Sequence, residues 1–165
     1  MAFELNRVNS FQVQKVYKWI LSINDIDIKT QYLEAITFPT MEFSGESFHF
    51  GGGEVILPSF TRVGDVSITF QEDEKGTILR ALEAWKLLVV NEEGVFGYPD
   101  SGDGATGFKK KGTLMLLDGS NNEHTEISLR GMWPLSTSPV ALTYTESAKV
   151  VITQEFAVDR VTIED

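Results

Sequence analysis
Apolar and polar residues alternate through most of this chain, and the alternation breaks in one place. Val66, Ile68 and Phe70 alternate with Ser67, Thr69 and Gln71, the period-two pattern of a half-buried strand. Ile127 and Leu129 alternate in the same way with Ser128 and Arg130. From Thr77 to Val90 the spacing changes. Ile78, Leu79, Leu82, Trp85, Leu88 and Val89 recur at i, i+3 or i+4, which predicts one amphipathic helix. A chain patterned like this must build sheet with a helix on its side. The expected class is α+β and mainly β: a β-sandwich or partial barrel with one flanking helix.

The remaining segments fit that frame. Residues 1–10 read as an arm with apolar anchors at Phe3, Leu5 and Val8. Strands are predicted from Phe11 to Ile23, over Tyr32–Phe38, over Thr113–Leu117 and Glu126–Arg130 as a hairpin, over Val140–Tyr144 and over Lys149–Val158. Residues 41–57, with Gly51-Gly52-Gly53, read as a flexible loop between two β-like pieces. Asp73 and Glu74 precede the helix, where its dipole favours anions, and Asn91 and Gly94 end it. Residues 91–108, rich in Gly, Asp, Ser and Pro, predict a long loop of the kind that carries function or meets a partner. The length of 165 residues suits one domain over 1–165.

Composition narrows the function classes. A net charge of −10 argues against a protein that grips phosphates, since such binders are basic. Cysteine is absent, which removes disulfides and thiol catalysis. No apolar run approaches a membrane helix, and the N-terminus lacks the basic start and apolar core of a signal peptide. Gly102 to Gly107 spells G-x-G-x-x-G, but a loop precedes it and Phe108-Lys109-Lys110-Lys111 leads into a strand. A dinucleotide turn needs a strand before and a helix after, so no cofactor is expected. His49 and His124 are far apart and lack ligand spacing, so no metal is expected. Glu72–Glu74 and Glu92–Glu93 read as helix-flanking charge rather than paired catalytic carboxylates. No nucleophile stands with a base, and the expectation is not an enzyme. Lys109, Lys110 and Lys111 are the one basic run. They read either as a solvated strand start or as a contact with an acidic face of another copy.

Taken in order, VSITFQEDEKGTILRALEAW (66–85), FKKKGTLML (108–116), EISLRGMWP (126–134) and TQEFAVDRV (153–161) resemble the tail tube protein of contractile-tailed bacteriophages. NSFQVQ at 9–14 with FPT at 38–40 adds a weaker match. Tube proteins of type VI secretion and of contractile bacteriocins share that architecture. The resemblance implies hexameric rings whose inner strands close one barrel, stacked into a hollow tube within a sheath. It implies sheath, baseplate and tail terminator proteins as partners, genomic DNA passing without specific binding, and a place in the virion tail assembled in the host cytoplasm. Phe3, Leu5 and Lys109–Lys111 are then candidate contacts between subunits or rings. Ser67, Thr69, Gln71, Thr153 and Glu155 are candidates to face the channel, with Val66, Ile68, Phe70, Val150, Ile152 and Phe156 facing the core. Trp85, Gly131, Trp133 and Pro134 are expected to form a structural corner, with Pro134 stopping the strand. The competing reading is a monomeric carbohydrate-binding β-sandwich, which requires an exposed Trp133 or Trp19. A bacteriocin or secretion tube is a third possibility.

Overall fold
A computed structural model describes residues 18–28, 30–37, 41–99, 107–138, 140, 142 and 148–164. The strands are β1 (Trp19–Ile23), β2 (Leu33–Thr37), β3 (Met41–Phe50), β4 (Gly53–Val63), β5 (Val66–Gln71), β6 (Lys110–Leu117), β7 (Glu123–Thr137), β8 (Val151–Ala157) and β9 (Arg160–Glu164). Helix α1 (Thr77–Val89) lies between β5 and β6, and a single 3-10 turn (Thr30–Tyr32) precedes β2. The fold is mainly β with one α-helix among the described residues.

Seven strands join in the order β1-β6-β7-β8-β5-β2, with β9 also on β7, and every pairing is antiparallel. Strand β7 belongs to both halves. Glu126–Arg130 pair with β9, while Trp133, Pro134 and Thr137 pair with Ala157, Phe156 and Gln154 of β8. Gly131 is the corner between them. Its φ of 68° lies in the left-handed region, and a Cβ there would meet Asp159 Oδ2 at 2.1 Å. Only glycine fits both constraints. The partner strand breaks at the same level, since Val158 and Asp159 separate β8 from β9. Asp159 N–H donates to Arg130 O at 3.0 Å, and Lys109 Nζ bridges the Asp159 carboxylate at 2.6 Å.

The inward faces of both halves share one core. Val66, Ile68 and Phe70 of β5, Ile152 and Phe156 of β8, Leu129 and Met132 of β7, and Ile78, Leu82 and Trp85 of α1 are all buried. Trp85 stacks obliquely on Phe156 at 5.3 Å and donates its Nε1–H to Phe108 O at 2.6 Å.

Two carboxylates at the end of β5 start the helix. Asp73 Oδ1 accepts the Thr77 N–H, Glu72 Oε1 accepts that of Ile78, and Glu72 Oε2 accepts that of Leu79. Three amides at the helix start are satisfied by side chains from outside it. The Thr77 N–H, helped by the Thr77 hydroxyl, holds the Asp73 carboxyl down at about 2. At the other end Asn91 Oδ1 accepts the Glu93 and Val95 N–H groups, and Gly94 turns with φ 80°.

Several sequence expectations need correction. Pro134 does not stop β7, which runs on to Thr137. Beyond Met132 no described strand pairs with the outer flank of β7, and an unpaired flank tolerates proline. The 41–57 loop is a regular hairpin closed at Gly51-Gly52, both at positive φ, as a tight two-residue turn requires. The predicted Lys149–Val158 strand is β8, and β9 (Arg160–Glu164) beyond it was not expected. Val150 is half-buried and precedes β8. The predicted Val140–Tyr144 strand lies largely outside the described residues, and Val140 itself is not in a strand. The arm with Phe3 and Leu5 lies outside them too, as do residues 100–106 of the long loop.

Candidate assembly surfaces
The outer face of β2, β5 and β8 carries mostly polar side chains. Ser67 stands opposite Glu155, Thr69 opposite Thr153, and Gln71 opposite Val151. Ala35 and Thr37 of β2 extend the same rows beyond Thr69 and Ser67. The Thr69 and Thr153 hydroxyls lie 3.3 Å apart across the strands, and Ser136 Oγ donates to Glu155 Oε2 at 2.7 Å. Ser67, Thr69 and Thr153 are half-buried, and Gln71 and Glu155 are exposed. Alternation explains the plane, because Ile68, Phe70, Ile152 and Phe156 between these residues point into the core. The five channel candidates therefore stand together on one face.

That face ends in two strand flanks that no described strand covers. One is β2, paired only with β5; the other is β7 beyond Met132. Behind the β7 flank a cleft of about 480 Å³ opens toward α1, lined by Leu87, Val90, Phe96, Trp133, Pro134 and Leu135 with Glu83 and Lys86 at its side. Trp133 is half-buried, not enclosed in the core, and meets Phe108 edge-on at 5.9 Å. Trp19 is half-buried as well, and Trp85 and Pro134 are the buried members of the corner.

The three lysines sit in different settings. Lys109 bridges Asp159 at 2.6 Å, Lys110 is buried and approaches Asp25 at 3.4 Å, and Lys111 stands 4.0 Å from Glu126. Alternation at the strand start separates them: Lys110 points in while its neighbours point out. Gln154 was missed by sequence reasoning because a polar residue reads as surface. It is fully buried, and its amide donates to Ser136 O at 2.8 Å and Glu155 O at 2.7 Å, tying β8 to the exit of β7. Its place in the inward row Ile152, Gln154, Phe156 was the available signal.

The β3–β4 hairpin stands apart from the core. From Glu42 to Ser59 every side chain is exposed except half-buried Ser44. Phe43, Phe48, Phe50, Val55, Ile56 and Leu57 are among the exposed apolar residues. A lone two-stranded hairpin is marginal in water, and this one pairs with no other described strand.

No family model and no curated protein matches the sequence. Solved structures match it over most of its length. One is a chain of an extracellular contractile injection system, the PVC sheath–tube complex in its extended state. It has a TM-score of 0.70 and 13% identity, over 99% of each chain. Another is the anti-feeding prophage cap, the AFP tube terminating cap, with a TM-score of 0.72 and 14% identity over 93% of this chain and 92% of that one. A third is the anti-feeding prophage baseplate, with a TM-score of 0.61 and 12% identity over 93% and 97%. At such identities the likeness speaks to architecture alone: this chain shares its fold with chains of contractile injection systems.

Proposed function
We propose that this chain is a structural tube subunit, whose copies close into rings that stack as a hollow conduit. The observation that carries the reading is the four-stranded run β7-β8-β5-β2, largely polar on one face, with no described strand on β2's far flank or on that of β7 beyond Met132. Its strands alternate in direction, so β2 runs opposite to β7. A copy rotated about an axis along the strands brings its β7 flank beside β2 in the antiparallel sense. An even number of strands per copy lets that repeat around a closed ring with no edge left over. Ser67, Thr69, Gln71, Thr153 and Glu155 then line the channel. These five offer hydroxyls, an amide and a carboxylate, and Lys149, just before β8, is paired with Glu34 at 2.7 Å, so a polyanion such as DNA passes without being held.

In the finer reading the ring is hexameric, the tube belongs to a contractile phage tail, and genomic DNA travels through it. Similar chains come from a sheath–tube complex, a tube terminating cap and a baseplate. These support a sheath, a terminator and a baseplate as partners. They equally support a tail-like injection machine that carries another cargo. In the tube, Phe3, Leu5 and the outward Lys109 and Lys111 serve as contacts between copies.

Negative-stain imaging of the concentrated protein is the test, with rings bearing a central hole as the expected result. Because the chain has no cysteine, an Ala35→Cys/Ser136→Cys variant adds a specific probe. Oxidation is expected to link neighbours through their flanks into a covalent ladder. A protein that stays monomeric at every concentration and yields no intermolecular disulfide overturns the proposal.

A further inference from the structure
We infer that Glu34 is a charge guard on the channel wall: its carboxylate cancels the ammonium of Lys149, so that the wall does not grip a passing polyanion. That role rests on the tube reading above. Strand β2 leaves its regular pairing with β5 at one point. Leu33 stands opposite Phe70 and Ala35 opposite Thr69, so two residues of β2 face one step of β5, and Glu34 is the extra one. An extra residue of this kind re-aims a side chain. Without it Ala35 would fall opposite Ile68, on the core side; with it Ile36 takes that place, and Ala35 and Thr37 stand on the outer face. The Glu34 side chain is exposed, and its Oε1 accepts from Lys149 Nζ at 2.7 Å.

The bridge reaches across a whole strand, since β2 and β8 lie on opposite sides of β5, roughly 10 Å apart. Lys149 continues the outer row of β8, two places before Val151, which stands opposite Gln71. The Glu72 N–H donates to Val150 O at 3.0 Å and carries the β5–β8 pairing one step toward it. Among the described residues of this face Lys149 is the one cation. Glu155 cannot do the cancelling. It lies six residues along the chain, roughly 20 Å at strand rise, well beyond a screening length of about 8 Å in physiological salt. Its carboxylate also accepts from Ser136. The Lys149 side chain remains 50% exposed, so losing the Glu34 carboxylate would leave a solvent-facing cation in every copy. In a ring those cations recur around the bore, and recurring ammonium groups are what hold phosphates. An exposed ion pair adds little to stability. What the bulge accomplishes is to remove a charge from the wall.

Pelleting with DNA tests the guard. Assembled parent, Glu34→Gln and Glu34→Gln/Lys149→Gln are mixed at low salt with a short fluorescent DNA duplex and sedimented. The melting temperature is expected to hold in both variants. The parent and the double variant are expected to leave the duplex in solution, and Glu34→Gln to carry it down. A fourfold rise in salt is expected to weaken that retention about 3.5-fold for each lysine that meets a phosphate. Retention by Glu34→Gln no greater than by the parent overturns the inference. Equal retention by the single and double variants does so too, because the unmasked lysine would then play no part. Retention by dilute, unassembled Glu34→Gln also overturns it, by placing the effect outside a bore. So does a Glu34→Gln protein that forms no rings where the parent forms them, since the pair would then be a fastening. A parent that forms no rings removes the tube reading and the guard together, whereas rings without the retention remove the guard alone.

Discussion
Replacing Gly131 with alanine tests the corner on which the whole topology turns. Two costs follow from the geometry. A side chain at φ 68° occupies the left-handed region, at about 1–2 kcal/mol for an L-residue. The new Cβ would also lie 2.1 Å from Asp159 Oδ2 and 2.5 Å from Cγ. The Asp159 carboxylate must swing away and release Lys109, a bridge of 2.6 Å that contributes up to about 1 kcal/mol at a half-exposed site. Alanine also stiffens the unfolded chain, which returns about 0.5–1 kcal/mol. The net loss is about 2 kcal/mol. For a domain of this size that lowers the melting temperature by roughly 4–8 °C. Calorimetry of Gly131→Ala, Asp159→Ala and the double variant separates the two costs. Asp159→Ala alone is expected to cost about 1 kcal/mol or less. The double variant is expected to cost less than the sum, because the clashing carboxylate is gone. It does not return to the Asp159→Ala value, since strain remains and the Asp159 Cβ still lies 2.9 Å from the new methyl. A Gly131→Ala protein within about 0.5 kcal/mol of the parent, or strictly additive variants, refutes the corner as described.

Trp85→Ala empties a fully buried site against Phe156 and is expected to cost about 3–5 kcal/mol in urea unfolding. Trp85→Phe keeps a ring there but strands the Phe108 carbonyl and costs about 1–3 kcal/mol; a loss under about 0.5 kcal/mol in the alanine variant would contradict the packing. Asp73 titrates at about 2 when folded against 3.8 ordinarily, so the unfolded chain takes up its proton first as the pH falls. The stability Asp73 confers is complete above about pH 4 and drains away toward pH 2. In Asp73→Asn that part of the pH profile of the melting temperature is expected to flatten, and an unchanged slope over the window would count against the helix-start bonds.

Local periodicity made the main architecture legible. The β5 alternation puts Val66, Ile68 and Phe70 inside and Ser67, Thr69 and Gln71 outside, and the helix runs from Thr77 to Val89, within a residue of its predicted end. What stayed hidden depends on partners distant in the chain. Pro134 reads as a stop, and only the end of β6 beside Met132 shows that its flank of β7 needs no donor. Strand β9 went unread, because its place is set by pairing with Glu126–Arg130 of β7, far off in the chain. Gln154 reads as surface, and its burial follows from the Ser136 carbonyl and Thr137 hydroxyl that β7 brings to it. The hairpin hid behind its glycines. Gly51 and Gly52 mark flexibility in a sequence, yet in a two-residue turn they are what allows two long strands to meet.

The polar plane and the bare hairpin have one origin. Sheet β7-β8-β5-β2 has its inner face filled by Ile68, Phe70, Ile152, Phe156 and the α1 side chains, and its other side is mostly polar, with Val151 and Ala35 the exceptions on β8 and β2. Threonines at 69 and 153 keep the strand geometry that β-branching favours while leaving that side wettable. The hairpin makes the opposite choice, spending Phe48, Phe50, Val55 and Leu57 where its own chain supplies no cover. A monomer optimised for solution would exchange these assignments, with polar residues on the projecting arm and a capped sheet. In the proposed tube, the wettable plane is the surface that lines the conduit.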